Sequence, residues 1–548
     1  MKRLKSFRGF IIVSIVVIIC IAAAGGNHNR FFEISKNLEI FTTLYKEVNT
    51  YYVDEVDPAK LMKTGVDAML ESLDPYTNYI SESQIEGYRY MTDGTYNGIG
   101  ARSEMIGEYV TITLIHKDNA AHKAGIQAGD QIISIDGYSA KGKTKEEVDQ
   151  ILRGFPGTQV KLEISRPGES QTREIMLTRE EANISNVPYY GMVSDNVGYI
   201  ILTTFTRNAS KNILNALKEL KVENPEVDGI ILDLRNNGGG LLQEAVNITN
   251  IFIPKNEMVV TTKARVPEWD RSWKTLNNAN DEDIKLAVLI NNNSASASEI
   301  VSGVVQDLDR GVLVGQRSYG KGLVQNTKDI GYNSKVKITT AKYYIPSGRC
   351  IQAVEYENGE PVDIPDDRRS KFKTRNGRIV LDGGGVSPDV TIDKPEDPAF
   401  IKYLKKKKII FHYATKFVQK NESIPAAKEF KFQDYPDFVS FVKDQGDDYG
   451  TSTEAMIHQL ESAAEKDRYL EALKTEILAL KSKLAIDKSQ DLEKYKNQLI
   501  NLIEQEIVSR YHFETGKVEI SLRNDPEVKK TIDVLNDDSN YQGILIYK

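Results

Sequence analysis

Histidine is scarce in this chain and badly placed for catalysis. The six are His28, His116, His122, His412, His458 and His512, so none lies between His122 and His412. That is the stretch where strand and helix patterns alternate, and a Ser-His-Asp triad there would need its base brought in from elsewhere. Cysteine is scarcer still. Cys20 falls in an N-terminal apolar run and Cys350 stands alone, which excludes an intramolecular disulfide framework and any Cys-x-x-Cys pair. Cys350 reads as a small buried apolar residue. With no His-Glu-x-x-His either, neither a metal nor another cofactor is expected. Excess positive charge is also missing: the formal charge is −7 at pH 7. That argues against nucleic acid as the main partner, because neutralising phosphate needs a basic surface.

Long apolar runs are absent except at the N-terminus. Residues 9–29 carry no formal charge and follow Lys2, Arg3, Lys5 and Arg8. Ala22-Ala23-Ala24 fits a signal-peptide cleavage site. An uncleaved anchor is the alternative, since the neutral stretch is long enough to cross a bilayer. Ile19 stands where a lipoprotein would need a small residue before Cys20. On either reading the bulk of the chain is expected in the cell envelope, periplasmic, exported or anchored to the inner membrane by residues 9–29.

At 548 residues the chain is too long for one core. Residues 30–90 read as a helical region, with Leu38, Phe41, Leu44, Tyr45 and Val48 at three- and four-residue spacing. From 91 to 180 the pattern changes to short β-branched runs separated by glycine, at 109–114, 131–135 and 160–164, with one helix at 145–152. From 181 to 394 strands alternate with helices: 197–205 before 209–220, 229–234 before 241–251, and 286–290 before 297–308. That order implies a mainly parallel sheet with right-handed crossovers. Residues 395–548 are charged and helical, and Leu470, Leu473, Ile477, Leu480 and Leu484 suggest an α-hairpin.

The glycine-rich run from Gly125 to Gly137 strongly resembles the PDZ-domain signature. Upstream, Gly98, Ile99 and Gly100 resemble that family's carboxylate-binding loop. Consecutive N–H groups in such a turn form an anion nest, and the adjacent strand edge pairs with an extended peptide. A small β-domain that only packs against the core is the plainer alternative.

Three loops at strand ends carry the expected chemistry. Asn236-Asn237-Gly238-Gly239-Gly240 follows an apolar strand. It matches neither phosphate-loop pattern, and oriented N–H donors for a tetrahedral intermediate explain it better than a tight turn into a helix. Ser294-Ala295-Ser296-Ala297-Ser298-Glu299 opens a helix. Ser296 sits at its start, Ser294 or Ser298 is a candidate N-cap, and Glu299 is placed to support a cap. Gly320-Lys321-Gly322 offers a lysine that, turned into low dielectric beside a hydroxyl, would lose proton affinity and act as general base. Gln325 is placed to orient that amine. Ser318-x-x-Lys321 with Lys63-Thr64-Gly65 matches another hydrolase pattern, but the flanking glycines disfavour the required helical turn and the order is wrong.

In this order these motifs resemble the C-terminal processing peptidases, also called tail-specific proteases. The resemblance covers about residues 40–390. It implies a multidomain α/β chain: a crotonase-like protease core with an inserted PDZ domain, an N-terminal helical arm and a C-terminal α-helical domain. It implies Ser296 as nucleophile, Lys321 as base, Gln325 as its orienting partner, and Ala297 with Gly240, neighboured by Gly239, as oxyanion hole. Asp307 matches an acidic position some members need. Gly238 replaces a frequent proline, which leaves the oxyanion donor between the loop glycines. The implied activity is a serine endopeptidase that takes apolar substrate C-termini in its PDZ groove, with adaptor docking on the C-terminal helices and homo-oligomerisation as further expectations. A catalytically inactive PDZ adaptor and an acyl-CoA enzyme of the same fold are the alternatives.

Overall fold

The computed structural model describes residues 31–546 except 353–355, 358–359, 363–364, 394–395 and 447–448. The leader expected at 1–29 lies outside them. Two compact units separate: residues up to Tyr79 with Val336–Ile338, and Ile80–Lys335 with Thr339–Lys548.

In the first unit the apolar spacing produces a helix over 31–51, followed by Pro58–Glu71. The second helix starts where Asp57 accepts the N–H groups of Ala59 and Lys60 at 2.9 and 3.2 Å, with Pro58 at its first position. Among the described residues no helix is long and apolar enough to cross a membrane.

The second unit opens with helix Ile85–Asp93, ended by Gly94 in the left-handed conformation. An antiparallel sheet follows in the order Ala101–Ile106, Tyr109–Ile115, Gln131–Ile135, Gln159–Ser165, Arg173–Thr178. Its core is built by alternation: Gln159–Ser165 buries Val160, Leu162 and Ile164. Helix Lys145–Leu152 covers that core with Val148 and Leu152, and starts at a reciprocal Thr144–Glu147 capping box. Strand Ala101–Ile106 lies at the sheet edge.

The next sheet has six strands side by side in chain order: β1 (Tyr190–Met192), β2 (Val197–Ile201), β3 (Gly229–Asp233), β4 (Lys285–Ile290), β5 (Val312–Gly315) and β6 (Val390–Thr391). The β1–β2 pair is antiparallel and the others parallel. Helices α1 (Ala209–Glu223), α2 (Leu242–Phe252) and α3 (Ala297–Asp307) connect β2 through β5. Alternate strand residues face two layers. Ile230, Leu232, Leu286 and Val288 share a core with Ile213, Ile248 and Ile300 of these helices. Tyr199, Ile231, Leu289 and Val314 pack instead with Val528, Leu535, Tyr541 and Leu545. The second layer therefore comes from Pro526–Asn536 and Asp538–Leu545, at the end of the region read as a C-terminal helical domain. Burial on both faces explains why 286–290 is an unbroken apolar run.

Helices Ala399–Lys406, Ile409–Lys420, Tyr435–Gln445 and Lys496–Leu522 share a core around Phe400, Tyr413, Phe438, Leu499 and Ile507. The expected hairpin forms between Ser452–Lys466 and Leu470–Ser489, held antiparallel by Lys481–Glu461 at 2.6 Å and Lys488–Glu454 at 2.8 Å. Cys350 is a free thiol, half-buried rather than buried, and desolvation pushes its pKa up.

Candidate active site

Parallel strands deliver the loops after β3, β4 and β5 to one edge of the sheet, where α/β folds place their ligands. The flanking serines do not cap α3. Ser294 Oγ donates to the Leu234 carbonyl at 2.8 Å, Ser298 Oγ donates to the Asn237 carbonyl at 2.8 Å, and the Ala295 N–H reaches that same carbonyl at 3.0 Å. These bonds weld the serine loop to the glycine loop. Ser296 precedes α3 with φ 56° and ψ −112°, a conformation that costs a side-chain-bearing residue about 1–3 kcal/mol and collects at functional sites.

Glu299 holds this turn in place. It is fully buried, and its carboxylate accepts four donors. Oε2 takes the N–H groups of Ser296 at 2.7 Å and Lys321 at 2.9 Å; Oε1 takes Ser318 Oγ at 2.6 Å and the Gly320 N–H at 2.7 Å. Desolvation pushes this carboxyl's pKa up, and the four donors oppose the shift. Its lone pairs are fully used, so a proton has no place without breaking a bond. The Tyr343 hydroxyl lies 3.1 Å from the Ser296 carbonyl oxygen and 2.7 Å from that of Lys321. Two residues far apart in sequence thus share one carboxylate oxygen and one phenol. Both are half-buried.

Residues 317–322 form no helix, so Ser318 and Lys321 do not share a helical turn. Ser318 Oγ is spent on Glu299 and on the Val386 N–H, at 2.6 and 2.7 Å. Gln325, on strand Leu323–Gly331, has its Nε2 3.4 Å from Thr339 Oγ1; the amide was expected at the Lys321 amine, and this bond goes elsewhere. No histidine among the described residues hydrogen-bonds Ser296 or Glu299.

Three N–H groups of the glycine and serine loops are used differently. The Gly239 N–H donates to Asn237 Oδ1 at 2.9 Å. No acceptor among the described residues takes the N–H of Gly240 or of Ala297. Gly239 has φ 97°, and a Cβ there would stand 2.8 Å from Ser296 Cβ and 2.9 Å from the Ala297 nitrogen. Only glycine allows this approach.

Asp307 does not join this cluster. It ends α3, about 16 Å along the helix from Ser296 at 1.5 Å per residue, and pairs in the interior with Arg349 at 2.8 Å while accepting the Ser347 N–H at 2.9 Å. Desolvation pushes its carboxyl up, opposed chiefly by Arg349.

Glu299 was visible in the sequence only as a capping residue. Glu527 was not visible at all. Its buried carboxylate accepts Gln316 Nε2 at 2.6 Å, at the root of the lysine loop, and Arg235 Nη1, at the root of the glycine loop. Arg235 is held from its other side by Asp233, with Nη2–Oδ2 at 2.6 Å. Gln316 and Glu527 are too far apart in sequence for any local pattern to connect them.

The second glycine turn lies in the PDZ-like sheet. The Ile99 and Gly100 carbonyls accept the N–H groups of Ala121 at 2.8 Å and His116 at 3.0 Å, which fixes the turn. Gly100 has φ 72°, and a Cβ there would lie 2.1 Å from Asn119 Cβ. A cavity of about 330 Å³ opens beside it, lined among others by Tyr96, Gly98, Ile99, Ile112, Leu152 and Arg153.

Comparison with known proteins gives three family matches: Peptidase family S41 over residues 196–360, PDZ domain over 97–177, and probable PDZ-protease, C-terminal helical domain, over 400–535. A carboxy-terminal-processing protease of Bartonella bacilliformis is 34% identical over 347 residues, covering 63% of this chain and 78% of the relative. A probable CtpA-like serine protease of Staphylococcus haemolyticus is 35% identical over 347 residues, covering 62% and 68%. Among solved structures, the photosystem II D1 C-terminal processing protease aligns at 28% identity over 64% of this chain and 92% of its own, with a TM-score of 0.35.

Proposed function

We propose, taking as premise that this chain belongs to the carboxy-terminal-processing protease family and is a PDZ-bearing serine peptidase, that Ser296 attacks the scissile carbonyl and Lys321 takes its proton. The observation that carries this is the Glu299 oxygen shared by the N–H groups of Ser296 and Lys321. It supports a single constellation assembled from two loops. Attack forms the bond between Ser296 Oγ and the carbonyl carbon, and the proton passes to the Lys321 amine, which must be uncharged to receive it. The oxyanion is taken by the N–H groups of Gly240 and Ala297, which have no competing acceptor among the described residues; Gly239, whose N–H is spent on Asn237, shapes the loop. The protonated amine then protonates the leaving nitrogen. Water attacks the acyl-enzyme by the same route in reverse and releases Ser296. Gln325 stands on the strand that Lys321 leads into and is the residue read as supporting the amine, although its Nε2 lies against Thr339 Oγ1.

Substrate enters as an extended chain. The edge strand Ala101–Ile106 offers backbone groups for an added strand, and the turn at Gly98, Ile99 and Gly100 takes the terminal carboxylate. The apolar lining of Ile99, Ile112 and Leu152 favours an apolar final residue. The charge-free run at 9–29 after a basic start supports work in the cell envelope.

The experiment is cleavage of a protein with an unstructured apolar C-terminal tail, followed by mass spectrometry. The full chain should cut it, and blocking the terminal carboxylate as an amide should slow cutting. Undiminished cleavage by Ser296→Ala would overturn the assignment.

A further inference from the structure

At the carboxylate end of the PDZ groove a backbone donor is already taken by the chain itself. Tyr96 stands on strand Thr95–Gly98 just before the glycine turn, and its ring lies under Gly98, where a Cβ would come within 2.7 Å of Cε2. The Ala101 N–H donates to Tyr96 Oη at 3.1 Å, and the phenol lies 3.4 Å from the Ala101 carbonyl oxygen. Ala101 is the first residue of the edge strand, so its N–H is where a peptide terminus meets that edge. Burial pushes the phenol up to about 12, against the Ala101 and Gly100 backbone groups and the Arg153 charge, so it is neutral at physiological pH. The ring is braced by an edge-on contact with Tyr90, centroids 6.0 Å apart.

We propose that Tyr96 acts as an internal ligand that sets the affinity of this nest: its phenol holds the Ala101 N–H until a free C-terminal carboxylate displaces it. The inference rests on the reading of the Gly98–Gly100 turn given above. A carboxylate wins this exchange because its hydrogen bonds are charge-assisted and about twice as strong as those of a neutral phenol, and because Arg153 lines the same cavity. A neutral C-terminal amide has no such advantage and leaves Tyr96 in place. The phenol therefore weakens only ligands that take the Ala101 N–H, and a segment that does not reach this donor is unaffected by it. Each bound carboxylate replaces the phenol's bond, which lowers apparent affinity by the fraction of time the nest is self-occupied.

The test is calorimetric titration of the full chain carrying Ser296→Ala, with a short peptide ending in Ala-Val and with the same peptide amidated. Tyr96→Phe is added on that background, since it keeps the ring and removes only the hydroxyl. The acid should bind more tightly than the amide. Tyr96→Phe should tighten the acid about fivefold, the factor carried by one neutral hydrogen bond, and leave the amide unchanged. Hydrogen exchange at the Ala101 amide should speed up in peptide-free Tyr96→Phe. Equal binding of acid and amide by the parent protein would sink the carboxylate reading itself. A preference for the acid that Tyr96→Phe leaves unchanged or weakens would overturn only the internal-ligand proposal.

Discussion

Two glycine turns in this molecule present backbone N–H groups, and they stand in opposite states. At 236–240 and the serine loop facing it, the N–H groups of Gly240 and Ala297 have no acceptor among the described residues, and the two loops are fastened by Asn237, Ser294 and Ser298. At 98–100 the neighbouring Ala101 N–H is already taken by Tyr96. The difference teaches how the labour is divided. Where charge develops during reaction, donors that need no rearrangement are worth most. Where a ligand must bind and leave, a donor that has to be won lowers its affinity.

The largest effect should come from emptying the first turn's chemistry. Ser296→Ala and Lys321→Ala should each reduce peptide cleavage about ten-thousand-fold or more, with thermal unfolding nearly unchanged. Next comes the wiring between the two loops. Glu299→Gln turns an amide NH₂ toward N–H donors in a buried site, and should lower kcat by about a hundredfold and stability by about 3 kcal/mol. Loss of activity without loss of stability would mean that Glu299 is not the structural tie described here.

The contrast between the turns also has a pH signature. His116, whose N–H binds the Gly100 carbonyl, is pushed by burial from 6.5 to about 4. Its proton binds the unfolded chain first, so its contribution is complete above about pH 6.5 and is lost as pH falls toward 4. Hydrogen exchange over 97–177 should report about 3 kcal/mol less protection at the acid end, and His116→Gln should flatten that dependence. The smallest effect is the remote one. Glu527→Gln, which weakens the tie to Arg235 and Gln316, should lower kcat about tenfold with KM unchanged. A change in KM alone would place its influence on the groove instead.

The core strands and the helix that begins after Ser296 were legible because burial on both faces writes continuous apolar runs, and because the serine loop follows where one such run ends. The PDZ sheet was legible through its glycines and alternation. Glu299 was half-legible: Ser-x-x-Glu announces a cap, but nothing local says that the same carboxylate reaches Ser318, Gly320 and Lys321. The helices at 526–545 looked like any charged C-terminal helix, since their role as the second layer of the protease sheet depends on partners hundreds of residues away. Asp307 shows the converse. It was named only through the family resemblance, and the helix carries it to the end away from Ser296.

The pairing of Ser296 with Lys321 is tested most directly by covalent labelling. The full chain and its Lys321→Ala variant are treated with a fluorophosphonate probe, and the adduct is mapped and timed by mass spectrometry. The account predicts an adduct on Ser296 that forms in the parent chain and is slowed to near absence without the lysine. Labelling of Ser296 at the same rate in both, or labelling of a different serine, would contradict it.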